Sequence, residues 1–145
     1  MSLDVHHVGC AVRDLEQVTT FYGQLGLQRC SRVIDVPSQS VRVRFVELGR
    51  GVYLELIEAT QPKSPIDRYL KVGFYHLCFL VPSLEEAGVV LAEAGSVGLP
   101  AFSSEGFDGN SCQFFVTSHN TLVELAEMSP SAFAEFFGDN SHGIA

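Results

Sequence analysis

The sequence predicts an α+β fold of two tandem β-α-β-β-β modules that curve around one shared metal site. Three observations predict it. His76 lies 69 residues after His7, and Glu124 lies 69 after Glu55. The same shift, with no gap, overlays Val12 on Val81, Leu15 on Leu84, Glu16 on Glu85, Gly26 on Gly95, Phe45 on Phe114, Leu56 on Leu125 and Glu58 on Glu127. Within each copy, hydrophobic periodicity runs from a period of two to a helical period and back to two, which is strand, helix, strands.

In chain order, the first module spans residues 4–58. Val5–Val12 reads as a strand with His7, Gly9 and Ala11 on one face and Val8, Cys10 and Val12 on the other. Asp14 with Gln17 forms a capping-box pattern. Leu15, Val18, Phe21 or Tyr22, and Leu25 then recur at helical spacing, and Gly26 suits the residue after the last turn. Strands follow at Leu27–Val36, Val41–Leu48 and Val52–Glu58, with turns at Pro37–Ser40 and Gly49–Gly51. In the last strand Tyr53, Glu55 and Ile57 share a face.

Residues 59–73 form a linker in which Ser64 caps a short helical turn opened by Pro65. The second module, residues 74–128, repeats the pattern. Phe74–Val81 is a strand carrying His76, and Ser83 with Glu86 is the second capping box. Leu84, Ala87, Leu91 and Ala94 line a helix ended by Gly95, and strands follow at Val97–Phe102, Ser111–Thr117 and Thr121–Met128. Asp108-Gly109 and His119-Asn120 are turn signals. The tail, residues 129–145, lies outside the repeat. It is expected to form a helix from Ser129-Pro130 through Phe137, ended by Gly138, and to fray from Asp139 onward. Its phenylalanines 133, 136 and 137 would cover a sheet edge or dock on a second subunit, giving a homodimer.

Each helix would pack on the face carrying Val8, Cys10, Leu54 and Leu56. The opposite, concave face then carries His7, Glu55, His76 and Glu124. Two imidazoles and two carboxylates suit one divalent ion among Zn, Ni, Co, Mn and Fe. Such an ion would make a proton next to a carbonyl acidic, with a carboxylate of the set as base. His6, His119 and His142 are expected at the surface or in turns.

The chain is acidic, with a net charge of −8, which argues against nucleic acid as a partner. All nine basic residues precede residue 72, while residues 73–145 carry nine acids and no base, so an anionic small molecule should lean on the first half. No apolar run reaches the ~20 residues of a membrane span. Neither a signal peptide nor a CxxC spacing is evident. Cys10, Cys30, Cys78 and Cys112 are expected as buried thiols of a cytoplasmic protein.

Several segments carry a resemblance to the vicinal oxygen chelate superfamily, which includes glyoxalase I, and within it to the methylmalonyl-CoA epimerase family. They are residues 7–15, 36–43, 53–58, 64–70 and 123–125, read as HVGCAVRDL, VPSQSVRV, YLELIE, SPIDRYL and VEL. The likeness covers residues 4–128. It implies an eight-stranded curved mixed sheet holding His7, Glu55, His76 and Glu124 on a metal. It also implies epimerisation at the α carbon of a methylmalonyl-type acyl thioester, with Glu124, and alternatively Glu55, as catalytic base and no organic cofactor. A glyoxalase I-type lyase and a non-catalytic binding protein of the same fold are the rival readings. The chain departs from the epimerase pattern in Tyr75 before His76, in the loops at 105–110 and 117–120, and in lacking an acid within Val41–Phe45.

Overall fold

The computed structural model describes residues 3–143. The first module comprises β1 (Asp4–Ala11), α1 (Leu15–Gln24), β2 (Arg29–Ser31), β3 (Ile34–Val36), β4 (Val41–Gly49) and β5 (Val52–Ala59). A 3₁₀ turn at Pro65–Tyr69, capped by the Ser64 hydroxyl, joins it to the second. That module comprises β6 (Phe74–Val81), α2 (Leu84–Glu93), β7 (Val97–Gly98), β8 (Phe102–Ser104), β9 (Asn110–Val116) and β10 (Leu122–Glu127). The tail forms α3 (Pro130–Asn140) and β11 (Ser141–Gly143).

All strands join one mixed sheet in the order β11-β2-β4-β5-β1-β6-β10-β9-β7, with β3 on β4 and β8 on β9. β1 runs parallel to β5 and β6 parallel to β10, while β1 and β6 meet antiparallel at the centre. There Val8 lies opposite Leu77, its own counterpart in the repeat. The duplication therefore meets itself about a local two-fold axis between the central strands.

Among the described residues the expected eight strands become eleven. In each module the second strand is broken in two, and the tail adds one. Pro100 has no N–H for a ladder, so the chain leaves the sheet between β7 and β8. Between β2 and β3 the Arg32 N–H is donated to the Asn140 carbonyl of the tail, 2.8 Å away, instead of to a neighbouring strand.

The helices start as the capping boxes predict. The Asp14 carboxylate accepts from Gln17 N–H at 3.1 Å, and the Ser83 hydroxyl from Glu86 N–H at 3.2 Å. A second repeated device ties each helix start to the sheet. Glu58 accepts from Leu15 N–H (2.7 Å) and its counterpart Glu127 from Leu84 N–H (2.8 Å), placing negative charge at the positive helix end. Leu15 of α1 packs in one cluster with Val46, Leu54 and Leu56; Ala87 of α2 packs in another with Val81, Phe115 and Leu125. Gly26 and Gly95 each follow their helix with φ near +90° (+96° and +87°), the conformation glycine tolerates.

The largest core cluster fills the concave side and includes Phe45, Tyr53, Phe107, Phe133 and Phe137. Phe133 and Phe137 come from α3 and are 1% exposed. The tail thus completes its own chain's core, and these two rings offer nothing to a second subunit. Fraying from Asp139 is not what the fold does: α3 continues through Gly138 to Asn140, and β11 pairs with β2. All four cysteines are buried, and Cys10, Cys78 and Cys112 are free thiols. Among the described residues no helix is long and apolar enough to cross a membrane.

Candidate metal centre

The four central strands β5, β1, β6 and β10 each deliver one residue of the expected set: Glu55, His7, His76 and Glu124. All four are buried, His7 completely. The Nε2 atoms of His7 and His76 stand 2.9 Å apart. Glu55 Oε1 lies 3.2 Å from His7 Nε2 and 3.6 Å from His76 Nε2; for Glu124 Oε1 the distances are 3.3 and 3.4 Å. Donors each about 2.0–2.2 Å from one ion stand roughly 2.8–3.6 Å from one another, the short end for octahedral neighbours and the long end for tetrahedral ones. The observed spacings are those of a coordination shell.

The surroundings repeat as well. Phe45 sets its ring edge-to-face against His7, and its counterpart Phe114 does so against His76. His76 can reach the centre only because residue 9 is glycine. A Cβ on Gly9 would lie 2.0 Å from His76 Cε1.

Burial pushes the His7 imidazolium toward neutrality, but the carboxylates of Glu55 and Glu124 outweigh it and raise its pKa to about 9. Burial likewise opposes ionisation of Glu124, and the imidazoles of His7 and His76 beside it reverse that, holding its pKa well below the usual carboxylate range. Glu124 Oε1 nevertheless makes no hydrogen bond. Two facing imidazole nitrogens and two carboxylates around one point, with an orphaned oxygen among them, fit a divalent cation of the Zn, Ni, Co, Mn or Fe kind.

One expectation is overturned. His6 is not at the surface; it is 1% exposed, and its Nδ1 lies 2.8 Å from His7 Nδ1. Strand alternation sends His6 to the outer face, but β1 carries a bulge between Val5 and His7 that turns both rings inward. The partner strand bulges at the equivalent place, beside Tyr75, the counterpart of His6. His119 is exposed in its turn, as expected, bonded to Thr121. The side chain of His142 lies outside the described residues.

Glu55, His76, Glu124 and Tyr75 line a cavity of about 80 Å³ whose other walls include Val36, Val41, Val43, Ile57, Ile66, Phe102 and Phe114. Gln39, Pro65, Ile66, Tyr75 and Phe114 are shared with an adjoining open cleft of about 730 Å³, which also carries Lys63 and Arg68. The positive charge lining the cleft therefore comes from the linker. Arg29, Arg42 and Arg44 are engaged with Glu47, Glu58 and Glu16. No basic pattern in the sequence separates these two groups, because the pairing depends on strand neighbours.

Residues 6–130 match the model of the Glyoxalase/Bleomycin resistance protein/Dioxygenase superfamily, and the chain belongs to it. More particular relatives are mitochondrial methylmalonyl-CoA epimerases. The Mus musculus protein is 33% identical over 87 residues, 57% of this chain and 48% of that one; the Homo sapiens protein is 32% identical over 87 residues, 57% and 49%. The chain thus spans about half the length of the curated relatives it matches. Among solved structures, a hypothetical protein from Bacillus halodurans superposes with a TM-score of 0.77 at 27% identity, covering 89% of this chain and 96% of that one. A methylmalonyl-CoA epimerase variant from Streptomyces coelicolor, in complex with 2-nitronate-propionyl-CoA, gives a TM-score of 0.74 at 24% identity, covering 86% and 97%. At that identity the likeness is one of fold.

Gly9→Ala is expected to displace His76 and weaken binding of a divalent ion about a hundredfold, read by competition with a chromophoric chelator. Wild-type affinity in this variant would mean that His76 is no ligand. Ion uptake should also release protons. A ligand imidazole must be neutral, and His7 without an ion holds its proton up to about pH 9. Binding therefore strengthens as pH rises toward 9, and near pH 7.5 roughly one proton should leave His7 per ion bound. Calorimetric titration in two buffers of different ionisation heat measures this, and equal heats would contradict it.

Proposed function

We propose that this protein is a metal-dependent isomerase that abstracts the α proton of a methylmalonyl-type acyl thioester. The observation that carries the reading is the placement of Glu55, His76 and Glu124, with His7 buried behind them, in the wall of a small, largely apolar cavity that adjoins a cleft carrying Lys63 and Arg68. The acyl group would enter the cavity, and the phosphates of a coenzyme A carrier would meet the two exposed cations outside. The epimerase relatives support this choice among the reactions of the superfamily.

His7, Glu55, His76 and Glu124 would hold the ion. When bound, it supplies a Lewis acid for the substrate oxygens, which makes the α proton removable at neutral pH. Glu124 is proposed as the base, with Glu55 as the alternative. The carboxylate takes the α proton, the C–H electron pair moves toward the thioester carbonyl, solvent water supplies a proton to the other face and so inverts the centre, and the carboxylic acid gives its proton back to solvent. β4 places Val43 in the cavity wall and offers no second carboxylate there. The remaining ionisable group lining the cavity is Tyr75. Burial first, then Glu55 and Glu124, push its phenol well above its ordinary value, so it stays protonated and can donate to a substrate oxygen. A homodimer, if formed, would use the outer face of β1 and β6, where Val5, Phe74 and Leu77 are exposed.

The test is solvent deuterium exchange into methylmalonyl-CoA by the ion-loaded protein. Exchange is expected in the unaltered chain and a loss of about a hundredfold or more in Glu124→Gln, with the ion retained. Unchanged exchange in that variant would remove Glu124 as base. Turnover of a methylglyoxal–thiol adduct without exchange into methylmalonyl-CoA would move the assignment to a lyase. Arg68→Glu should raise KM for the coenzyme A thioester about tenfold while leaving the pantetheine thioester unaffected, since only the former brings the distal phosphates. An equal effect on both substrates would place the carrier elsewhere.

A further inference from the structure

We propose that His6 is a positioning residue for the metal centre: it accepts a hydrogen bond from Nδ1–H of His7 and so fixes the tautomer that leaves His7 Nε2 free to bind an ion. The inference rests on reading the four-residue cluster as a metal site. It starts from the 2.8 Å separation between the Nδ1 atoms of the two neighbouring rings. A separation that short, inside a buried pair, holds one proton, and either ring can own it. If His6 owned it, His7 would carry its own proton on Nε2. That atom faces His76 Nε2 at 2.9 Å and the two carboxylates, so the proton would occupy the place of the ion. With an ion bound, His7 must be the donor and His6 the acceptor. The hydrogen of His6 is then on Nε2.

The surroundings of His6 are built for that assignment. Its Nε2 is buried and has no hydrogen-bonding partner. Four aromatic rings, those of Phe45, Tyr53, Phe107 and Phe133, enclose it at centroid distances of 4.0–5.6 Å. In such an enclosure an N–H gains a weak attraction from the π electrons, whereas a bare ring nitrogen gains none. Phe133 makes the shortest of these contacts, 4.0 Å and edge-to-face, and comes from α3. The tail outside the duplicated modules therefore reaches the centre through two rings, Phe133 to His6 and His6 to His7. The second module has no copy of this arrangement. Its counterpart of His6 is Tyr75, and His76 Nδ1 has no hydrogen-bonding partner.

The test uses the full chain and Zn²⁺ as probe. Long-range ¹⁵N–¹H spectra of the Zn²⁺-loaded unaltered chain should put a hydrogen on Nδ1 of His7 and on Nε2 of His6; a hydrogen on Nδ1 of His6 overturns the proposal. Chelator competition should then show His6→Leu weakened about ten- to a hundredfold, and His6→Asn, whose amide oxygen can accept the same bond, within about threefold of the unaltered chain. Unweakened Zn²⁺ binding by His6→Leu, or equal weakening in both variants, overturns the positioning role alone. Failure of the unaltered chain to bind Zn²⁺ overturns the metal-centre reading itself. The spectra need no substitution, so they decide the matter even if His6→Leu does not fold.

Discussion

A carboxylate taken out of water without a counter-charge costs several kcal/mol, and two placed side by side repel each other as well. Glu55 and Glu124 are both buried at the centre of the sheet, on strands separated only by β1 and β6. The arrangement persists because positive charge stands between them. The two carboxylates raise the pKa of His7 to about 9, so its imidazolium supplies that charge near neutral pH. The geometry of the sheet serves this one point. The parallel pairings place each glutamate strand beside a histidine strand, the two bulges turn the histidine strands inward, and Gly9 makes room for the second imidazole.

Much of this was legible in the sequence because the duplication is free of gaps. A pattern that occurs twice in one register is hard to produce by chance in a strand, so His7, Glu55, His76 and Glu124 stood out, and the structure brings all four together. Asp14, Ser83, Gly26 and Gly95 were readable because caps obey local chemistry. His6 was not readable, since alternation assumes an unbroken strand and nothing local to residues 5–7 announces a bulge. Nor could the break after Ser31 be read, because the group that captures the Arg32 N–H is the carbonyl of Asn140, more than a hundred residues away. Tyr75 was visible as a departure from the epimerase pattern, but its place in the cavity wall depends on the bulge in β6.

The two halves have diverged in ways that follow their neighbours. At the first bulge, His6 sits under the aromatic rings of the tail. At the second, Tyr75 stacks on Tyr69 of the linker, 4.3 Å between centroids, at the mouth of the cavity. The position of Gly9, which admits His76, is occupied in the second half by Cys78, which is buried beside the centre. Both halves line the cavity, but only the second sets a tyrosine at its wall from the bulge, while the first seals its bulge residue in the core. The linker, which belongs to neither copy, supplies Lys63 and Arg68 in the adjoining cleft.

The pairing of Val8 with Leu77 places the local axis of the duplication between the two central strands. A centre standing on such an axis is owned jointly. Neither half carries more than two of the four clustered residues, so neither retains the cluster when parted from the other. Gene fusion of two such halves makes their association unimolecular and independent of protein concentration. It also lifts the requirement that both copies change together, which an assembly of identical chains can never escape.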